Sequence, residues 1–119
     1  GKVARVAEIG TELSDLQRVV GGLIEPYYPF EEQVCIVCND EGKYNGMRPC
    51  RAIYGEDREM MDIIFGPFFI CDCSTPYFGS LNKEQLERYT KQFQNPERFF
   101  RVGGEIKAVP YKPEKDHER

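Results

Sequence analysis

The stretch EEQVCIVCNDEGKYNGMRPC, residues 31–50, decides the predicted fold because it joins a strand pattern to a strong turn signal. Its segment QVCIVC is rich in β-branched residues and predicts a short β-strand. The following NDEGK begins the turn at Asn39 and indicates a hairpin with Gly42 in the left-handed position of a bulge. Tyr44 then starts the predicted return strand, which Pro49 interrupts.

The cysteines of this stretch raise the question of a metal or redox site. The chain has five cysteines, an odd number that cannot complete a fully paired disulfide framework. Zinc thiolates in Cys-x-x-Cys sit on a tight turn, whereas residues three apart in a strand point to opposite faces. The strand-forming residues between Cys35 and Cys38 therefore favour reduced, packed thiols without a metal. A redox pair and a zinc site are the alternatives, the latter drawing on Cys35, Cys38, Cys71 and Cys73.

Two amphipathic helices are predicted from apolar residues at helical spacing. The first follows Thr11 as N-cap and ends at Gly21-Gly22, and the second follows Ser80 or Asn82. A short helical turn is predicted after Asn95-Pro96. With the central hairpin, these elements predict an α+β domain with a mainly antiparallel or mixed sheet. The remaining strands are predicted in VARVAEI (3–9), LIEPYY (23–28), REMMDIIFGPFFICDC (58–73, two strands or one bent strand) and EIKAVPY (105–111).

Length and composition predict a small intracellular protein. At 119 residues the chain suits one core, so we expect a single domain over 1–111 and a frayed, charged tail over 112–119. Residues are 40% hydrophobic and 30% charged, as in soluble globular proteins. No apolar run approaches the roughly 20 residues of a membrane span. We therefore expect a cytoplasmic protein without a membrane partner.

The net charge of −4 is unevenly distributed. Residues 1–79 carry 7 Lys+Arg and 13 Asp+Glu, a net −6, while residues 80–119 carry 9 and 7, a net +2. Nonspecific nucleic-acid binding needs a strongly basic face. We therefore expect no direct nucleic-acid partner.

A ligand-binding hypothesis rests on Arg48 and Arg51 beside Tyr44 and Tyr54, because two guanidinium groups with neighbouring aromatic rings suit a phosphate or carboxylate. The alternative is that each arginine pairs with the acidic part of the chain. The single histidine, His117, lies in the predicted tail, where it would supply no positioned imidazole. We therefore expect a protein without enzymatic activity and without a cofactor.

Four blocks of the sequence resemble, in order, an uncharacterised domain family found on plasmids, phages and conjugative elements of Gram-positive gut bacteria. The resemblance implies that an additional strand usually precedes the part matching ARVAEI. It also implies Asn at the position of Cys50 and Gly at the position of Arg58. The blocks are LQRVVGGLIE (16–25), YYPFEEQVCIVCNDEGKYNGM (27–47), RAIYGEDREMMDIIFGPFFI (51–70) and SLNKEQLERYTKQFQNPERFF (80–100).

From these observations we expect a non-enzymatic binding or regulatory protein of a mobile genetic element, acting through a protein surface and interfering with a host system. The alternatives are a protein that binds or sequesters a nucleotide or phosphate, and a domain stabilised by a structural zinc ion. If the additional strand is absent, residues 3–9 form an open sheet edge, which predicts a homodimer or a partner strand.

Overall fold

Strands dominate the computed structural model, which describes residues 2–10 and 12–112. Every strand pair is antiparallel, in three sheets ordered β1-β2-β5, β3-β4 and β6-β7. The α+β class with two helices is therefore confirmed. The elements are α1 Leu13–Val20, β1 Ile24–Tyr27, β2 Val34–Asn39, β3 Pro49–Tyr54, β4 Met60–Phe65, β5 Phe69–Asp72, α2 Lys83–Gln92, β6 Glu97–Val102 and β7 Glu105–Pro110.

Strand β2 is the centre of the fold, and all six of its residues are buried. Because side chains alternate along a strand, its two faces belong to different apolar clusters. Val34, Ile36 and Cys38 pack with Tyr89 and Phe93 around α2. On the opposite face, Cys35 and Val37 pack with Val20 of α1 and Cys71 of β5. The prediction that Cys35 and Cys38 lie on opposite faces is confirmed.

The helix signals in the sequence mark the observed ends well. Helix α1 ends at Gly21, whose φ of 78° is the left-handed conformation that glycine adopts without steric cost. Its N-cap is Glu12, and the predicted cap, Thr11, lies outside the described residues. Helix α2 begins after Asn82, whose Oδ1 accepts a 2.8 Å hydrogen bond from the backbone N–H of Gln85.

The segments that flank the Asn39–Lys43 turn do not pair, so the hairpin predicted there is wrong. Strand β2 already has β1 and β5 on its two edges, and the return segment leads into β3, which pairs with β4. The central hairpin of the fold is therefore β3-β4. Tyr44 belongs to the loop, where its N–H donates to the Glu41 carbonyl at 2.9 Å.

Gly42 is constrained by close packing instead of by a left-handed conformation. It does not have a positive φ, so the predicted bulge conformation is wrong. A β-carbon at this position would lie 2.7 Å from the backbone oxygen of Phe65. The contact places the loop against the end of β4, and glycine is needed because nothing larger fits.

Two other predicted elements are replaced by different structure. Residues 3–9 form no strand, and the N–H of Ala4 instead donates to the Gln94 carbonyl at 3.2 Å. The predicted edge strand there is therefore wrong. The chain after Asn95-Pro96 enters β6 without a helical turn, because the Pro96 carbonyl accepts from Tyr111 N–H at 2.9 Å and continues the β6-β7 ladder.

Residues 113–119, with most of the predicted tail and His117, lie outside the described residues. Across 2–10 and 12–112, none of the helices is long and apolar enough to cross a membrane.

Candidate functional site

Arg51, the centre of the predicted ligand site, is buried and already surrounded by backbone oxygens. Its Nε and Nη2 donate to the Phe93 carbonyl at 3.1 and 2.9 Å. Nη1 donates to the Cys50 carbonyl at 2.9 Å, and Nη2 to the Lys2 carbonyl at 2.7 Å. A guanidinium has a fixed set of donors, so this side chain holds the N-terminal segment and the end of α2 against β3 and has few donors left for an anion.

The other three residues of that set lie apart from one another. Tyr44 lines a cavity beside β2, whereas Tyr54 lines a second cavity beside α2. Arg48 is exposed, and its carbonyl accepts from the N–H of Gly66 at 2.9 Å. The four residues therefore do not converge on one cavity, and ligand binding by them stays a prediction.

The cavity at Tyr54, of about 450 Å³, lies where the C-terminal strands join the rest of the fold. Glu97 accepts a 2.8 Å hydrogen bond from the Ala52 N–H and a 3.2 Å bond from the Tyr54 hydroxyl. Burial raises the pKa of Tyr54, with a further contribution from the Glu97 charge. The carboxylate thus anchors the start of β6 on β3.

The cavity at Tyr44, of about 340 Å³, lies between β1, β2 and β4 and has an acidic lining. Its carboxylates are Glu25, Asp40 and Asp62, and Asp62 pairs with Lys43 at 3.2 Å. Burial, together with the Glu25 charge, raises the pKa of the Cys38 thiol in this cavity to about 11. Cys38 is therefore protonated at neutral pH and is a poor nucleophile there.

The five cysteines are all unpaired thiols in the structure. Cys50 lies in β3, and the other four divide between the two faces of the central sheet. In the part of the chain that is described, no group of three Cys, His, Asp or Glu side chains is arranged to hold a metal ion. Cys71 and Cys73 share the face of Cys35, whereas Cys38 points away from them. The metal-free state of the cysteines stays a prediction.

Exposed apolar side chains are grouped on β6 and β7. These strands form a two-stranded ribbon joined by Gly103-Gly104, both with positive φ. The register places Phe100, Val102 and Val109 on one side, where they are 48%, 58% and 51% exposed. We call this side the hairpin face, and its six residues are Arg98, Phe100, Val102, Glu105, Lys107 and Val109.

Sequence reasoning missed β6 and therefore missed the hairpin face. The usable signal was Gly103-Gly104, because two glycines between strand-forming segments are a hairpin turn signature. The short helical turn predicted after Asn95-Pro96 stood in the place of β6.

Comparison with known proteins identifies a family without assigning a reaction. The sequence profile of the family described as a domain of unknown function, DUF3846, matches residues 1–94. The chain therefore belongs to this family. Neither a curated protein nor a solved structure matches the chain. The matched range ends before β6 begins at Glu97.

Proposed function

We propose that this DUF3846 chain is a non-enzymatic binding or regulatory protein that acts through the hairpin face and takes an acidic protein segment as its partner. The observation that carries this proposal is the exposure of Phe100, Val102 and Val109 together on one side of the ribbon. Aromatic and aliphatic side chains that form one exposed patch are typical of a protein-interaction site.

The ribbon makes few interactions with the rest of the fold, and this favours a partner on the hairpin face. An isolated two-stranded hairpin is only marginally stable in water. This ribbon is joined to the rest of the fold by Glu97, and Arg98 lies 4.6 Å from the Tyr111 ring centroid. β7 has no strand on its outer edge among the described residues. A partner strand added at that edge would supply backbone hydrogen bonds and cover the apolar side chains.

The charge of the ribbon supports an acidic partner. Residues 97–112 contain four Lys+Arg and two Asp+Glu, a net +2. Of the two acids, Glu97 is occupied by the Ala52 N–H and the Tyr54 hydroxyl, and Glu105 pairs with Lys107 at 3.3 Å. Arg98 is the exposed cation that remains on the hairpin face, whereas Arg101 lies on the opposite side of β6. A segment that alternates apolar residues with Asp or Glu would complement both the apolar patch and the positive charge of Arg98.

The sequence resemblance adds a biological context to the proposal. In a mobile genetic element, a protein that binds through such a face would regulate or block a host protein that displays an acidic, extended segment.

Selection from a displayed library of short random peptides tests this function. We expect enrichment of peptides that alternate apolar and acidic residues, with binding that weakens as salt rises because exposed charges are screened. The double substitution Phe100→Ser and Val102→Ser should abolish binding. Tyr77→Ser is the matched control, since Tyr77 is 81% exposed but lies outside the ribbon. All variants should keep the melting temperature of the unsubstituted chain.

Three outcomes would overturn the proposal. The first is that no peptide is enriched. The second is that enriched peptides are basic, or that their binding survives the double substitution. The third is a mass of twice 13.8 kDa by light scattering that falls to 13.8 kDa on the double substitution, because a second copy would then occupy the face.

A further inference from the structure

Cys35 and Cys71 form a close pair of thiols on neighbouring strands. They are register partners in the antiparallel β2-β5 pair, and their Sγ atoms lie 3.9 Å apart. Directly opposite residues in such a pair have Cα atoms about 4.5–5.5 Å apart, within the range that a disulfide spans. The sulfurs must approach by about 2 Å to reach bonding distance, and we expect side-chain rotation to achieve this because opposite Cα atoms already lie within the disulfide range.

We propose that Cys35 and Cys71 are a modification site at which a hydroperoxide forms a reversible disulfide between β2 and β5. This inference concerns the face of the central sheet that packs on α1, and it does not depend on the function proposed for the hairpin face.

The structure distinguishes the two sulfurs. Cys71 is 7% exposed and Cys35 is fully buried, so Cys71 is the sulfur that a small oxidant reaches. Hydrogen bonding from the Cys35 thiol lowers the pKa of Cys71, which favours the thiolate, while the pKa of Cys35 is raised by the same contact and by burial. The thiolate is the reactive form of cysteine.

The reaction balances with hydrogen peroxide as the oxidant. The Cys71 thiolate attacks one peroxide oxygen, an S–O bond forms and the O–O bond breaks. The departing hydroxide becomes water by taking up the proton that Cys71 released when it ionised. Cys35 sulfur then attacks the sulfenic sulfur, the S–S bond forms and the S–O bond breaks. The departing hydroxide takes the Cys35 proton and leaves as a second water. Two thiols are oxidised by two electrons in total, and the peroxide is reduced to two waters.

The neighbouring Cys73 provides a matched control. It lies two residues from Cys71 on the same face and within hydrogen-bonding reach of Cys35. It is also more exposed than Cys71. Burial and the Asp72 charge contribute to a raised pKa for Cys73, which disfavours its thiolate. The proposed bond joins directly opposite residues, so it should form without Cys73.

Peptide mapping by mass spectrometry on the full chain, with and without hydrogen peroxide, tests the site. We expect the oxidised chain to lose the mass of two hydrogen atoms and to give a Cys35–Cys71 cross-linked peptide. The bond would close a loop between residues 36 positions apart, so the melting temperature should rise by on the order of 10 °C. Dithiothreitol should reverse both changes. Cys35→Ala and Cys71→Ala should abolish them, and Cys73→Ala should retain them.

The proposal fails if peroxide leaves Cys35 and Cys71 as free thiols. It also fails if the main cross-link contains Cys73, or if Cys73→Ala abolishes the shift. Mapping the unsubstituted chain gives a decisive answer even where an alanine variant does not fold.

Discussion

Strand β2 and the β6-β7 ribbon both carry large apolar side chains but have opposite surroundings. The segment VCIVC in β2 is completely buried, whereas RFFRV in β6 contains no fully buried residue. Strand β2 has a strand on each edge and a helix-bearing cluster on each face. The ribbon pairs with no further strand among the described residues, and the apolar side chains of the hairpin face are about half exposed. Apolar composition alone therefore does not predict burial, since burial requires other elements to complete the layers.

The difference has a consequence for function. A side chain inside β2 contributes its full transfer free energy to folding. An apolar side chain on the hairpin face is about half exposed, so about half of that free energy is still available for binding a partner. The two regions should consequently respond differently to the same kind of substitution.

The largest expected effect is the contrast between Ile36→Ala and Phe100→Ala. Ile36 is fully buried in the cluster around α2, so its truncation should lower the free energy of unfolding by about 3 kcal/mol. Phe100 is 48% exposed, and its truncation should change that free energy by less than about 0.5 kcal/mol. Urea unfolding followed by circular dichroism measures both values. Equal losses for the two variants would contradict the comparison, because they would place the ribbon inside the folding core.

An intermediate effect is expected at Gly42, where the core packing extends into a loop. A β-carbon there would meet the Phe65 carbonyl at 2.7 Å, so Gly42→Val should lower the free energy of unfolding by about 2 kcal/mol. Glu41→Ala is the control, because Glu41 is exposed and its N–H, which donates to Asn39 Oδ1, is retained. Thermal melting measures the pair. If the two variants melt at the same temperature, the close contact with β4 does not exist.

Local signals in the sequence predicted the elements but not their neighbours. Helix α2 and β2 were predictable because a cap or an apolar period lies within the segment itself. The strands that pair with β2 were not predictable from local signals. The Asn39–Lys43 turn is compatible with a hairpin, and only the structure shows that β1 and β5 occupy both edges of β2. The position of Arg51 was equally hidden, since Lys2 and Phe93 are far from it in the sequence. The candidate site depended on such long-range contacts, and it was therefore predicted less well than the fold.

The smallest effect on the free energy of unfolding is expected at Arg58, in the β3-β4 turn. It extends the comparison to the turn that joins β6 and β7. The ribbon turn uses Gly103 and Gly104 at φ of 58° and 85°, where glycine is unstrained, whereas the β3-β4 turn places Arg58 at φ of 64°. A non-glycine residue in this region costs about 1–2 kcal/mol, partly offset by the greater freedom of glycine in the unfolded chain. Arg58→Gly should therefore raise the free energy of unfolding by about 0.5 kcal/mol, in keeping with the glycine that the resemblance implies at this position. Arg58→Ala removes the same side chain but retains the β-carbon, so it should give no gain. Differential scanning calorimetry on the two variants separates backbone strain from the loss of the side chain. An equal rise in the free energy of unfolding of both variants would contradict this prediction, because the arginine side chain would then be the destabilising feature and not its backbone conformation.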